Sequence, residues 1–352
     1  MPIRVLIVED SPVMQRLLAG LIGRDPGLQV VGVAANPYEA RELVKRLRPD
    51  VMTLDVEMPR MDGLTFLERL MRLHPMPVVM VSSMTERDAE VSLRALELGA
   101  VDVIAKPRAT DAHGLADFAA EIGEKLHGAS RAELAGRASG RLAPRPPAEP
   151  AAAQPIARGR LDGQLVAIGA STGGTEAIRE ILAQLPREMP PVVIVQHMPE
   201  MFTRLFAKRL NEQCALSVSE ARDRERLAPG HAYVAPGNWH LSVRRLGDAF
   251  EARLDQAPPV NRHRPSVDVL FESVATTAGE KATAVILTGM GGDGAAGLRA
   301  VKCAGGHTLA QDEASCVVFG MPKIAIETGC VDHVVPLSGM AGRILQRLRE
   351  SV

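Results

Sequence analysis

The chain has 352 residues, 46% hydrophobic and 24% charged, with a formal net charge of −1. That length exceeds one ordinary core and implies two domains, and the near-neutral balance argues against nucleic acid or an anionic membrane as the main partner. Aromatic residues make up only 3%, so the cores are built from Ala, Val, Leu and Ile.

Residues 3–126 alternate short apolar strands ("RVLIV", "LQVVGVA", "DVMTLD", "PVVMVSS", "VDVIAKP") with helical patterns near 12–23, 37–47, 63–73, 88–98 and 111–127. Repeated βα units without hairpins predict a parallel sheet covered by helices on both faces. From about 128 to 160 Ala, Pro, Gly and Arg dominate and no apolar period survives. This reads as a flexible tether, about 30 residues spanning roughly 30 Å on average. Strand–helix alternation resumes with "QLVAIGA" and "PVVIVQH"; "HAYVAPG", "HLSVRR" and "AFEARLD" then look antiparallel, before "KATAVILTGM", a helix near 294–304 and "HTLAQD". The expected organisation is a domain over 1–126, a linker over 127–160, and a second α/β domain with a small antiparallel insertion over 161–352.

No apolar run approaches a membrane span, and "MPIRVLIVEDS" meets two acids too soon for a signal peptide. Cys214, Cys303, Cys316 and Cys330 form no C-x-x-C pair, the pattern of reduced thiols in a cytoplasmic protein.

In a parallel α/β sheet, functional groups collect at the carboxyl ends of the strands. In the first domain those ends carry Glu9 and Asp10, Asp55, Ser82, and Lys106. Three converging carboxylates suit a hard cation such as Mg²⁺. Ser82 and Lys106 are then placed to hold phosphoryl oxygens on Asp55. Taken singly, each acid is no more than a solvated loop residue; the combination at four strand ends carries the reading. With these residues in these places, the segment resembles the receiver domain of bacterial two-component response regulators, which have a flavodoxin-like five-stranded sheet. The resemblance implies phosphorylation of Asp55 by a partner histidine kinase, with Mg²⁺ held by Glu9, Asp10 and Asp55. Receivers often carry an aromatic switch residue three positions before the lysine; here that position is Val103.

In the second domain "GASTGG" admits two readings. A dinucleotide fingerprint needs a middle glycine, which is replaced by Ser171. It also needs an acid after the next strand, which ends instead in Gln196-His197. The same residues satisfy G-x-S-x-G, where flanking glycines turn the chain sharply and present a serine at a helix N-terminus. His197 is the candidate base. Asp293, in "LTGMGGDGAAG", is the candidate orienting acid, with Asp268, Asp312 and Asp332 as rivals. The order Ser…His…Asp is not that of α/β-hydrolases, but geometry rather than order defines a triad. The other histidines (His231, His240, His263, His307, His333) are expected on the surface or in packing.

"IGASTGGTEAI", "VIVQHMP", "PPVNRHRPSVDVLF", "ILTGMGGDGAAG" and "EASCVVFGMP" resemble the catalytic domain of the chemotaxis protein-glutamate methylesterase family, CheB. That resemblance, over essentially the whole chain, implies a triad of Ser171, His197 and Asp293. It also implies hydrolysis of glutamyl methyl esters on chemoreceptors with methanol release, deamidation of receptor glutamines, and association with receptor arrays. No cofactor is expected at the esterase site and no direct membrane insertion. Regulation follows in the same way: the unphosphorylated receiver covers the active site. For the oxyanion, Thr172 is the first structural candidate and Met290 the second. "NRHRPSVD" is either a substrate-groove wall or an ordinary solvated loop. A DNA-binding output lacks a basic helix-turn-helix, and a nucleotide-binding module lacks the ribose acid and any G-K-[ST]. A paralogue serving another receptor array stays open.

Overall fold

The structure, a computed structural model, describes residues 1–58, 61–83, 85–107, 112–132 and 161–350. The chain divides into two compact units, Met1–Ala143 and Pro144–Val352. The expected tether lies outside the described residues except for its first few positions.

The first unit runs β1 (Ile3–Val8), α1 (Pro12–Ile22), β2 (Leu28–Ala34), α2 (Pro37–Leu47), β3 (Val51–Asp55), α3 (Gly63–Leu73), β4 (Val78–Ser82), α4 (Glu86–Glu97), β5 (Asp102–Ala105) and α5 (Ala112–Ser130). Its five strands pair in parallel in the order β2-β1-β3-β4-β5. β3 and β4 are buried at every residue, as a sheet covered on both faces requires. The helix starts follow local capping chemistry. Ser11, Asn36, Asp62 and Thr85 each accept a backbone N–H of the first turn, worth about 1 kcal/mol apiece. These caps fix where each strand hands over to its helix, and so where the strand-end side chains gather.

The second unit begins with β6 (Leu165–Ala170), α6 (Gly174–Leu182), β7 (Val192–Gln196) and α7 (Glu200–Gln213). β8 (Ser217–Glu220), β9 (Arg226–Leu227), β10 (His231–Val234), β11 (His240–Leu246) and β12 (Ala249–Asp255) follow. The rest is α8 (Val267–Ala278), β13 (Ala282–Ile286), α9 (Ala295–Cys303), β14 (His307–Gln311), α10 (Met321–Glu327), β15 (His333–Val335) and α11 (Leu337–Glu350). Seven strands form one sheet in the order β15-β14-β13-β6-β7-β10-β8. Strand order reverses at β6, with β7 on one side and β13 on the other, and such a switch point opens a crevice at the strands' carboxyl ends.

β11, β12 and β9 form the separate antiparallel sheet, with β11 and β12 joined by the Gly247-Asp248 turn. One strand departs from its expected pairing. "HAYV" is not antiparallel: β10 runs parallel between β7 and β8. Ala232, Tyr233 and Val234 are buried, which fits a central parallel strand. The chain then leaves the sheet through the Gly237-Asn238 turn, with Asn238 at φ 65°, rather than closing a hairpin. α8 carries the heaviest packing near the site. Leu270, Phe271 and Val274 are fully buried, each contributing about 1.5–3 kcal/mol.

Candidate functional site

In the first unit, Glu9 follows β1, Asp55 ends β3, Ser82 ends β4 and Lys106 follows β5. One carboxylate oxygen from each of Glu9, Asp10 and Asp55 lies within 4.8 Å of the others. Lys106 Nζ is 2.9 Å from Asp55 Oδ2 and 2.9 Å from Glu9 Oε2. Three carboxylates against one ammonium leave a surplus of negative charge. An all-oxygen set of this kind fits a hard divalent cation.

Burial is the main force on the Asp55 carboxyl and, with Glu9 beside it, pushes it up to about 6 despite the attraction of Lys106. Burial also opposes the Lys106 charge, but Asp55 and Glu9 outweigh it and raise the ammonium. Ser82 is fully buried and its hydroxyl donates to the Ser83 carbonyl at 3.2 Å. Val103 is buried within β5.

A raised carboxyl value means that ionising Asp55 weakens the fold. The penalty is absent below about pH 4 and complete above about pH 6. Asp55→Asn is therefore expected to stabilise the cation-free protein by about 1–3 kcal/mol at pH 8, with the gap closing at pH 4. Urea denaturation at the two pH values checks this. An Asn variant less stable at pH 8 would mean that the Lys106 pairing dominates.

In the second unit the three strand ends around the switch point are stitched together. Leu287 N donates to Gly169 O at 2.9 Å, Ser171 N to Thr288 O at 3.0 Å, and His197 N to Ala170 O at 3.1 Å. Ser171 therefore leaves β6 between the chain ends that carry His197 and the glycine-rich turn. Gly174 N and Gln196 Nε2 both donate to Ser171 O, at 2.7 and 2.8 Å, closing a tight turn into α6. Gly173 holds φ 78° in that turn. Gly289 faces it so closely that a Cβ would lie 2.7 Å from Ser171 Cβ and 2.3 Å from Met321 Sδ. Both positions need glycine, one for its dihedral and one for room.

His197 Nε2 lies 2.8 Å from Asp293 Oδ2. Its Nδ1 is buried and has no hydrogen-bond partner among the described residues. His263 stacks on the same ring, centroids 3.7 Å apart and 13° from parallel, and so restricts its rotation. Asp293 accepts from four further donors. Asn261 Nδ2 (2.7 Å), Ser266 Oγ (2.8 Å) and Asp268 N (3.3 Å) reach Oδ1, and Val267 N (2.6 Å) reaches Oδ2. Burial alone would raise this carboxyl. The His197 contact, the Asn261 amide and the Val267 N–H more than offset it and hold Asp293 well below the usual carboxylate range.

The structure thus joins His197 to Asp293 and sets Ser171 at the adjoining strand end, without a hydrogen bond to His197 among the described residues. Two rival acids are engaged elsewhere, Asp312 accepting from Ser315 N and Asp332 from Thr308 N, whereas Asp268 accepts from Gly297 N and shares the Asn261 amide with Asp293. Thr172 is buried, and its carbonyl accepts from Thr288 Oγ1 at 3.0 Å. Met290, half-buried, follows Gly289 in the glycine-rich turn. Sequence reasoning did not assign a role to Asn261, Ser266 or His263. The signal for Ser266 was available: a serine N-cap followed by apolar residues at 267, 270, 271 and 274 announces α8. The contacts of Asn261 and His263 had no periodic signal.

A receiver sheet with an acidic strand-end pocket, joined to an α/β unit with Ser, His and Asp around a switch point, defines a two-domain response-regulator architecture with an α/β output unit. Residues 5–113 match the response regulator receiver domain and residues 166–344 match the CheB methylesterase family. The chain is 55% identical over 350 residues, 98% of its length and 96% of the relative's, to a protein-glutamate methylesterase/protein-glutamine glutaminase of Burkholderia lata. It is 54% identical over 99% of its length and 97% of the relative's to the like-named protein of Methylobacillus flagellatus. The crystal structure of the Thermotoga maritima CheB methylesterase catalytic domain aligns with 53% of this chain and 98% of that one, at 41% identity and a TM-score of 0.52. The chain belongs to the CheB family of protein-glutamate methylesterase/protein-glutamine glutaminases. No helix among the described residues is long and apolar enough to cross a membrane.

Proposed function

We propose that the chain is a phosphorylation-activated serine hydrolase that removes methyl esters from glutamyl side chains of chemoreceptors, releasing methanol, and deamidates receptor glutamines. The observation that carries this reading is the 2.8 Å contact between His197 Nε2 and Asp293 beside the Ser171 turn. With Nε2 donating to Asp293, the lone pair is on Nδ1, the buried nitrogen without a partner. The two nitrogens therefore exchange the roles they hold in the serine-protease triad.

Ser171 Oγ attacks the side-chain carbonyl carbon and its proton passes to His197 Nδ1. The oxyanion is met by the backbone amides of Thr172 and Met290, aided by the N-terminus of α6. His197 then gives the proton to the leaving ester oxygen, which departs as methanol, or to the leaving amide nitrogen, which departs as ammonia. Water, deprotonated by the same nitrogen, attacks the acyl carbon, and His197 returns that proton to Ser171 Oγ as the glutamate leaves. Asp293 stabilises the imidazolium formed in each half-reaction.

In the receiver, Asp55 takes a phosphoryl group from a partner histidine kinase, with Lys106 and Ser82 binding its oxygens. Glu9, Asp10 and Asp55 would hold Mg²⁺, which would neutralise charge for that transfer. The domain assignment 1–126, 127–160 and 161–352, a cytoplasmic location and association with receptor arrays belong to the same proposal.

Methanol release from methylated receptor membranes tests it, with and without a small-molecule phosphodonor and Mg²⁺. Release is expected to rise several-fold with phosphodonor in the wild type and to stay flat in Asp55→Asn. Deleting residues 1–150 is expected to raise basal release. Unchanged release on deletion would argue against steric inhibition by the receiver.

A further inference from the structure

The loop before α8 reaches Asp293 with a side chain that no part of the proposed mechanism uses. Val260 and His263 exchange both backbone hydrogen bonds, at 3.1 and 2.8 Å. Asn261 and Arg262 between them hold φ 51° and 68°, the left-handed pair of a two-residue hairpin turn. Asn tolerates this backbone better than most residues, but its side chain is also committed. One Nδ2 group donates to Asp293 Oδ1 and to Asp268 Oδ2, each at 2.7 Å.

Asp268 and Asp293 are both buried and close enough to repel. Burial raises Asp268, and the charge of Asp293 adds to that rise. We propose that Asn261 is a positioning residue, whose amide holds the Asp293 carboxylate toward His197 and stands between it and the second buried carboxylate, Asp268. The inference starts from the Ser171–His197–Asp293 reading and adds an electrostatic insulator to it.

The physical consequence is directional. An amide that donates to Asp293 makes that carboxylate a weaker base toward the imidazole. Without the donor, Asp293 faces the charge of Asp268 unscreened, becomes a stronger base toward the imidazole and holds the His197 proton more tightly. The other groups around this point are His263 on the face of the His197 ring, Ser266 Oγ on Asp293, and His240, whose Nδ1 accepts from Ser266 N at 3.3 Å. Arg262 occupies the exposed tip of the turn.

The test uses the full chain and reads His197 directly, by NMR titration of its ring, assigned by difference from His197→Gln. Asn261→Gly keeps the left-handed backbone and removes the amide. Asn261→Asp keeps size and backbone and adds a third carboxylate. The midpoint is expected to rise by about one pH unit in Asn261→Gly and further in Asn261→Asp. It should fall back toward the wild-type value in Asn261→Gly/Asp268→Asn, where the second charge is gone. The acid limb of Ser171 labelling by a fluorophosphonate should move in the same order.

A folded Asn261→Asp with an unmoved midpoint overturns the proposal, even if the Gly variant fails to fold. So does a double variant that stays at the Asn261→Gly value. If the midpoints move as expected while the wild type reacts with neither ester nor probe, the hydrolase reading falls and the placement of Asn261 stands.

Discussion

Ser171→Ala is expected to lower methanol release from methylated receptors by about 10⁶-fold while leaving the thermal midpoint nearly where it was. The rate loss follows from chemistry: without Oγ there is no acyl-enzyme, and what remains is catalysis by oxyanion donors and binding alone. The unchanged stability follows from the site. The Ser171 backbone carries the structural bonds, accepting from Gly174 N and Gln196 Nε2 and donating to Thr288 O. No hydrogen bond ties its hydroxyl among the described residues. Alanine also keeps the Cβ against which Gly289 packs. Paired rate and melting measurements check both halves, and a variant that retained a tenth of the activity would remove Ser171 from the chemistry.

Asp293→Asn should lose both rate and stability. The carboxylate accepts from His197, Val267 N, Asn261, Ser266 and Asp268 N. An amide has one acceptor oxygen, so in either orientation its NH₂ points at groups that must donate. If it turns toward His197 it also reverses the tautomer, which costs about 10⁴-fold in kcat in the comparable protease variant. Leaving buried donors opposite an NH₂ group should remove about 1–3 kcal/mol of stability for each one unsatisfied. Because the Asp293 value is depressed in the fold, its stabilisation is complete above about pH 4 and fades as pH falls below the unfolded carboxylate range. Wild type and Asp293→Asn should therefore differ at neutral pH and converge in acid. Parallel chemical denaturation at pH 7 and pH 3 reads the difference, and a gap that did not narrow would assign the loss to packing rather than charge.

The strand ends were readable because apolar runs in a parallel sheet are bounded by their own chemistry. "VAIGAS", "VVIVQH" and "AVILTG" each stop where a polar residue appears, and β6, β7 and β13 lie side by side. Ser171, His197 and the turn with Asp293 were legible for that reason, as were Glu9, Asp55, Ser82 and Lys106 in the receiver. The pairing of β10 was not. Four residues long and followed by a glycine turn, it offered the same local signal as a hairpin arm, and only burial on both faces distinguishes the two. The role of the 260–268 loop was equally hidden. Its basic residues drew attention to charge, whereas Asn261 acts through a neutral amide and a left-handed backbone. Asp268 looked like a rival to Asp293, and in three dimensions it is a neighbour held off by that amide. Contacts between loops distant in sequence leave no period to read.

The reversal of strand order at β6 has a bearing on how the protein comes to life. Ser171 is made near the middle of the chain, well before the strand that brings Asp293 and the helix that cradles it. On the proposed mechanism, a nascent or partly folded chain holds a serine with no orienting acid and is expected to be unreactive toward esters. Pairing of β13 with β6 is a long-range event, slow relative to local helix formation. Regain of serine reactivity during refolding would thus track closure of the whole sheet, giving a chemical clock for the last stage of folding.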